Sequence, residues 1–148
     1  MSYEACPIPE DADSAATTDE SAVERLLESK RIAVVGISTD PSRPSYYVSE
    51  YLQKQGYMIV PVNPAHAEVL GEKSVPSLAQ LKQPVDMVLV FRRNEYCADV
   101  TREAIAAKAG GVWLQSGIVS DEARRLAAEA GIPFVQDRCM MVEHRRRR

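Results

Sequence analysis

The chain has 148 residues, of which 45% are hydrophobic and 26% charged, a composition typical of one globular domain with a substantial core. Its net charge of -3 argues against a nucleic-acid partner, and no apolar run is long enough to predict a membrane span. The acidic, polar start of the chain does not have the pattern of a secretory signal. Three widely spaced cysteines and two histidines predict reduced thiols in a cytoplasmic protein and no metal site.

Helical and strand patterns alternate along most of the chain. Residues 1–18, with several acids, prolines and small residues, predict a flexible N-terminal tail. Continuous apolar runs, typical of parallel strands buried on both faces, occur at 31–37, 57–62, 85–91, 112–115 and 132–136. Apolar residues at helical spacing, with capping residues, predict helices at 19–29, 44–55, 94–109 and 121–130.

Two segments lack a regular pattern. Residues 65–83 are interrupted by glycine and proline, and we expect only one or two helical turns there, at 77–81. Residues 137–143 are expected to trail off the last strand. Residues 144–148 predict a basic C-terminal tail, so the predicted domain covers residues 19–143.

This order of elements predicts an α/β protein with a Rossmann-like three-layer fold. An open, mostly parallel five-stranded sheet carries helices on both faces, joined by right-handed crossovers. Ligands of such folds bind beyond the carboxyl ends of the strands, where the strand order reverses. The residues just after each predicted strand are therefore the first candidates for a binding site.

The first strand leads into a stretch that is typical of an anion site. Gly36, Ile37 and Ser38 follow the strand, and a proline-containing loop then leads through Arg43 into a helix that begins at Pro44 or Ser45. Free N–H groups and the positive dipole at a helix start favour phosphate, and a guanidinium adds a charged, planar donor. We therefore predict a phosphate-bearing cofactor here.

The other strand ends favour one cofactor over its competitors. A dinucleotide site would show G-x-G-x-x-G after the first strand and an acid after the second, but Gly36 stands alone and the second strand ends in Asn63-Pro64. ATP would require a G-x-x-x-x-G-K-[ST] loop, which is absent. Arg43, Arg92 and Arg93 could instead converge on the pyrophosphate and third phosphate of coenzyme A (CoA).

Seven short motifs together resemble the small single-domain CoA-binding proteins, a family related to the CoA-binding domain of the succinyl-CoA synthetase alpha subunit. They are Gly36-Ile-Ser38, Arg43-Pro-Ser45, Val60-Pro-Val-Asn-Pro64, Gly71-Glu-Lys73, Val90-Phe-Arg-Arg93, Trp113-Leu-Gln-Ser-Gly117 and Asp137-Arg-Cys139. The resemblance covers residues 22–144 and implies a Rossmann-like fold that binds CoA. It implies that the phosphates and adenosine lie near residues 36–38, 43–46 (including Tyr46), 63–64 and 91–93 (including Phe91). It does not supply a reaction, since the synthetase's ligase domains and phosphohistidine segment have no counterpart in these small proteins.

Two residues near the later strand ends extend this hypothesis. Gln115 is a candidate for contact with the pantetheine arm, and Cys139 is a candidate for a mixed disulfide with the CoA thiol. We find no catalytic set in the sequence, so a CoA- or acyl-CoA-binding protein, with a regulatory or CoA-sensing role, is the leading interpretation. The alternatives are a small NAD(P)- or nucleotide-dependent oxidoreductase or acyl-CoA enzyme, and an interaction protein whose binding to a protein partner or a second copy depends on CoA.

Overall fold

The computed structural model describes residues 19–147, and the predicted N-terminal tail lies outside that range. The described helices are α1 (Asp19–Leu27), α2 (Pro44–Lys54), α3 (Cys97–Ala106), α4 (Asp121–Ala130) and α5 (Met140–Arg146). The strands are β1 (Arg31–Val35), β2 (Met58–Val62), β3 (Glu68–Val69), β4 (Glu72–Lys73), β5 (Met87–Val90), β6 (Val112–Leu114) and β7 (Phe134–Val135). Short 3-10 turns cover Leu78–Gln80 and Asn94–Tyr96.

Five strands form one parallel sheet in the order β2-β1-β5-β6-β7. The chain moves outward from β1 to β2 and then returns to the other side of β1 to form β5. Val35, at the end of β1, is paired with Val62 of β2 and Val90 of β5. The predicted α/β, Rossmann-like fold is confirmed, and its strand order reverses between β1 and β5.

Alternate residues of the central strands face opposite sides of the sheet. Ile32 and Val34 pack in one core cluster with residues of α1, α2 and α5. Ala33 and Val35 pack in a second cluster with residues of α3 and α4. Since both faces are covered, the strands read as continuous apolar runs rather than as an alternating pattern.

The C-terminal segment differs from its prediction. Residues 140–146 form α5, so the chain does not trail off after the last strand, and the expected basic tail from residue 144 is helical for most of its length. Glu143, whose side chain is 6% exposed, forms ion pairs with Arg138, Arg146 and Arg147. These ion pairs and the burial of Met140 stabilise the short helix α5. Its high arginine content had instead predicted a solvated tail.

Other differences are smaller. Residues 68–73 form the antiparallel pair β3–β4, which the sequence pattern did not predict, and the helical turn at 77–81 is a short 3-10 turn. The predicted helix at 94–109 consists of a 3-10 turn followed by α3. Within residues 19–147, none of the helices is both long and apolar enough to cross a membrane.

Candidate functional site

Two adjoining cavities lie at the carboxyl edge of the sheet and share Gly36 and Arg92. The first cavity, of about 490 Å³, extends toward α3 and is lined by Val35, Gly36, Ile37, Val62, Asn63, Pro64, Pro76, Ser77, Leu78, Arg92, Tyr96, Asp99, Val100 and Glu103. The second cavity, of about 630 Å³, extends toward α2 and α5. It is lined by Gly36, Ser38, Arg43, Pro44, Ser45, Tyr47, Val48, Phe91, Arg92, Arg93, Gln115, Ser116, Ile118, Cys139, Met141 and Val142. The two therefore meet at the reversal of strand order.

Gly36 is required by the protein backbone itself. Its φ is +85°, and a Cβ at this position would lie 2.5 Å from the carbonyl oxygen of Phe91 and 3.1 Å from Cδ of Arg92. A glycine after the first strand of such a fold can let a phosphate approach the backbone closely. The structure gives a different reason, which is that only glycine lets the end of β1 pass this close to the end of β5.

The loop between β1 and α2 is held by its own serines. The Ser38 N–H donates to Oγ of Ser45 (2.9 Å), and the Asp40 N–H donates to Oγ of Ser38 (2.9 Å). Hydrogen bonds from the backbone and side chain of Ser42 lower the pKa of Asp40. The N–H of Ser38 is thus already engaged, and the loop offers less backbone to an anion than its sequence predicted.

Three arginines line the second cavity. Arg43, Arg92 and Arg93, which the sequence predicted to converge, all contribute to its wall. Arg43 lies just before α2, and its exposed side chain is 4.0 Å from the carboxylate of Asp40. Because an ion pair this exposed is weak, the Arg43 side chain can turn toward a ligand at little cost.

Arg92 occupies the junction of the two cavities. Its guanidinium carbon lies 4.5 Å from the centre of the Tyr96 ring, within the range of a cation–π contact. This contact orients the planar group while leaving its N–H donors available. Arg92 is therefore placed to meet a ligand that crosses from one cavity to the other.

Asn63 ties together the ends of the first two strands. Its side-chain amide donates to the carbonyl oxygen of Ile37 (2.7 Å), and its Oδ1 accepts from the N–H of Ala65 (2.7 Å). The N–H of Asn63 donates to the carbonyl oxygen of Val75 (2.9 Å). The Asn63-Pro64 turn thus supports the wall of the first cavity, in addition to any contact it makes with a ligand.

Gln115 positions the far wall of the second cavity. Its side chain is buried, and its Oε1 accepts from the N–H of Met140 (2.9 Å), the first residue of α5. The Trp113 indole donates to the carbonyl oxygen of Arg138 (2.7 Å), which fixes the segment leading into the helix. These bonds place Cys139 and Met141 at the cavity.

The described cysteines differ in their surroundings. Burial raises the pKa of the Cys97 thiol to about 11, and its sulfur donates to the carbonyl oxygen of Arg93 (3.4 Å). Cys139 is half-buried and lines the second cavity. Within residues 19–147, there is no group of three histidine, cysteine or acidic side chains placed to hold a metal ion.

Twelve of the thirteen residues predicted for the site line one of the two cavities. The exception among the described residues is Tyr46, which packs against the first core cluster, whereas its neighbour Tyr47 lines the second cavity. Tyr46 and Tyr47 are adjacent on α2, and the packing of this helix determines which of the two side chains faces the core. The cavity residues that sequence reasoning missed include Tyr47, Tyr96, Asp99, Glu103, Ile118, Met141 and Val142.

Comparison with known proteins gives matches over most of the chain. Residues 30–145 match the model of a family described as the CoA binding domain. YneT of Bacillus subtilis, described as an uncharacterized protein, is 45% identical over 121 residues, which make up 82% of this chain and 90% of that protein.

Solved structures are also similar to this chain. A Thermus thermophilus structure described as cell-free ID.343 is 48% identical, with a TM-score of 0.80, and the match covers 88% of this chain and 98% of that one. The dinucleotide forming acetyl-coenzyme A synthetase 1 of Ca. Korarchaeum cryptofilum, in its apo form, is 25% identical with a TM-score of 0.68. That match covers 78% of this chain but only 28% of the synthetase, so the likeness is to one portion of a much larger protein.

Proposed function

Because the chain belongs to the CoA-binding domain family, we propose that it binds CoA or an acyl-CoA in the two adjoining cavities. Its role is recognition, with a regulatory or CoA-sensing function in the cytoplasm. The observation that carries the proposal is the convergence of Arg43, Arg92 and Arg93 on one cavity at the reversal of strand order. Three guanidinium groups match a ligand that carries a pyrophosphate and a third phosphate.

The charges in the cavities support one orientation of the ligand. Asp99 and Glu103 line the first cavity and disfavour a phosphate deep inside it, whereas the arginines of the junction and of the second cavity favour one. We therefore assign the adenine base to the first cavity, where a carboxylate can accept a hydrogen bond from its amino group, and the ribose with its 3′-phosphate to the junction. The pantetheine arm then enters the second cavity and reaches Gln115.

The residues after the first two strands argue against a nicotinamide cofactor. Such a cofactor is held by an acidic side chain after the second strand, which binds the ribose hydroxyls. Asn63 stands at this point, and both ends of its amide are already bonded to the protein. The tight glycine turn of a dinucleotide site is also replaced by a loop that engages the Ser38 N–H.

A thermal-shift comparison of CoA, acetyl-CoA, NAD, NADP and ATP at matched concentrations tests the proposal. A ligand present at a hundred times its dissociation constant stabilises the folded state by about 2.7 kcal/mol, which is readily measured. We expect CoA and acetyl-CoA to raise the melting temperature and the other three to have little effect. A larger shift with NAD, NADP or ATP than with CoA would overturn the proposed function.

A further inference from the structure

Exposed apolar side chains are concentrated around the two cavities. Among the described residues, the large hydrophobic side chains that remain exposed are those of Tyr47, Met58, Tyr96, Val119 and Val142. Tyr47 and Val142 line the second cavity, and Tyr96 lines the first. Apolar surface left open at a cavity is a feature of sites that bind an apolar group.

The second cavity is lined by both charged and apolar side chains. Arg92 lies at the junction with the first cavity, and the part of the lining formed by α5 and the loop after β6 presents Ile118, Met141 and Val142. The acidic residue of this helix, Glu143, is buried in ion pairs with arginines of the same segment. The wall formed by Ile118, Met141 and Val142 therefore presents apolar side chains, which offer more apolar surface than a bare thiol covers and no hydrogen-bond partner of their own for a free carboxylate.

From this arrangement we propose that the site prefers acyl-CoA with a short, neutral aliphatic acyl group to free CoA, and that Ile118, Met141 and Val142 contact that group. The proposal rests on the proposed function, since the acyl group reaches this wall only if the pantetheine arm occupies the second cavity. The wall is preformed, because the Gln115 side chain holds the first turn of α5 in place. Because the wall is already ordered, little conformational entropy is lost when the acyl group binds.

Isothermal titration of the wild-type protein with CoA, acetyl-CoA, butyryl-CoA and succinyl-CoA tests the preference. Burial of one methylene strengthens binding by about fourfold when it is complete. Since Val142 is 39% exposed, burial is incomplete and we expect butyryl-CoA to bind about tenfold more tightly than acetyl-CoA. Succinyl-CoA, which places a carboxylate against the same wall, should bind no more tightly than acetyl-CoA.

A variant series then tests the residues. Met141→Gln combined with Val142→Thr keeps the approximate size of both side chains, and should reduce the butyryl-to-acetyl ratio to about twofold or less, as expected if most of the methylene contribution is lost. Met58→Gln is the matched control, because this exposed methionine lies at the opposite end of a strand from the cavities and should leave the ratio unchanged.

The outcomes separate the two proposals. If CoA binds but lengthening the acyl group does not tighten binding, the acyl preference is wrong and the proposed function stands. An equal ratio in the double variant and the wild type would reject the assignment of the wall. If no CoA species binds the wild type, both proposals fail. The wild-type series decides the preference even if the double variant does not fold.

Discussion

Replacing Arg92 with alanine is the sharpest test of where the phosphates lie. Arg92 lines both cavities, and its side chain is exposed apart from its contact with Tyr96. An exposed cation–π contact contributes only about 0.5–1 kcal/mol, so the fold should tolerate the change. We expect the variant to unfold at nearly the wild-type denaturant concentration, which isolates the effect on binding.

The expected loss of affinity follows from the kind of contact removed. A hydrogen bond to a charged group contributes about 1.5–3 kcal/mol. At about 1.4 kcal/mol per factor of ten, Arg92→Ala should weaken CoA binding by about 10- to 100-fold. Arg92→Lys should lie between the wild type and the alanine variant, because lysine keeps the charge but not the planar pair of donors.

Titration calorimetry with CoA and with 3′-dephospho-CoA identifies the phosphate concerned. Because Arg92 lies at the junction of the cavities, we assign it to the pyrophosphate, and its replacement should weaken both ligands by the same factor. Arg124→Ala, an exposed arginine of α4 that lines neither cavity, is the control and should bind both ligands normally. If the variant loses affinity for CoA but not for 3′-dephospho-CoA, Arg92 binds the 3′-phosphate instead. If it loses affinity for neither ligand, Arg92 does not bind a phosphate and the assignment is refuted.

Three further predictions follow from the packing around the site. Gly36→Ala should lower the free energy of unfolding by at least about 1–2 kcal/mol, since alanine is strained at this positive φ; an unchanged urea midpoint would contradict the close approach. Iodoacetamide at pH 8 should modify Cys139 but spare Cys97, whose pKa is about 11, and CoA should slow the reaction of Cys139; peptide mapping that finds no protection by CoA would count against its place in the site. The hydrogen bond from Arg138 lowers the pKa of Glu20 from its ordinary value of 4.5, so this contact stabilises the fold above about pH 4.5 and is lost as the pH falls through the lower folded value. Glu20→Gln should flatten that part of the stability–pH curve, measured by urea unfolding, and an identical curve would show that the contact is unimportant.

The sheet was predictable because each strand is buried on both faces. The apolar runs around Ile32, Met87 and Trp113 contain few polar residues, and turn or capping residues mark the helices between them. The order of the strands then determines that residues 36, 91 and 115 meet at one edge. These signals are local, so they can be read from a single sequence.

The parts that were missed depend on contacts between distant residues. Helix α5 is short and rich in arginine, and it is held by Glu143 and by a hydrogen bond from Met140 to Gln115, which is 25 residues away. Its role as a cavity wall could not be inferred from its own sequence. The pairs of Glu143 with Arg146 and Arg147, at i, i+3 and i, i+4 spacing, were the local signs of a helix.

The candidate site also combines features that could be predicted from local sequence with features that depend on distant contacts. Arg92 and Arg93 were predicted because charged residues directly after an apolar strand are conspicuous, and Arg43 because it precedes a predicted helix start. The sequence did not predict why Gly36 is required, nor that Ser45 and Asn63 hydrogen-bond to the protein backbone. Each of these contacts involves a backbone atom of another segment. The sequence therefore predicted which residues line the two cavities better than it predicted what each one contacts.

A crystal structure of the protein with CoA tests the central claim most directly. We predict that the pyrophosphate lies within hydrogen-bond distance of the Arg92 guanidinium, with the adenosine on the side of Asn63 and the pantetheine arm beside Gln115. CoA bound with its pyrophosphate away from Gly36 and Arg92, or outside both cavities, would contradict it.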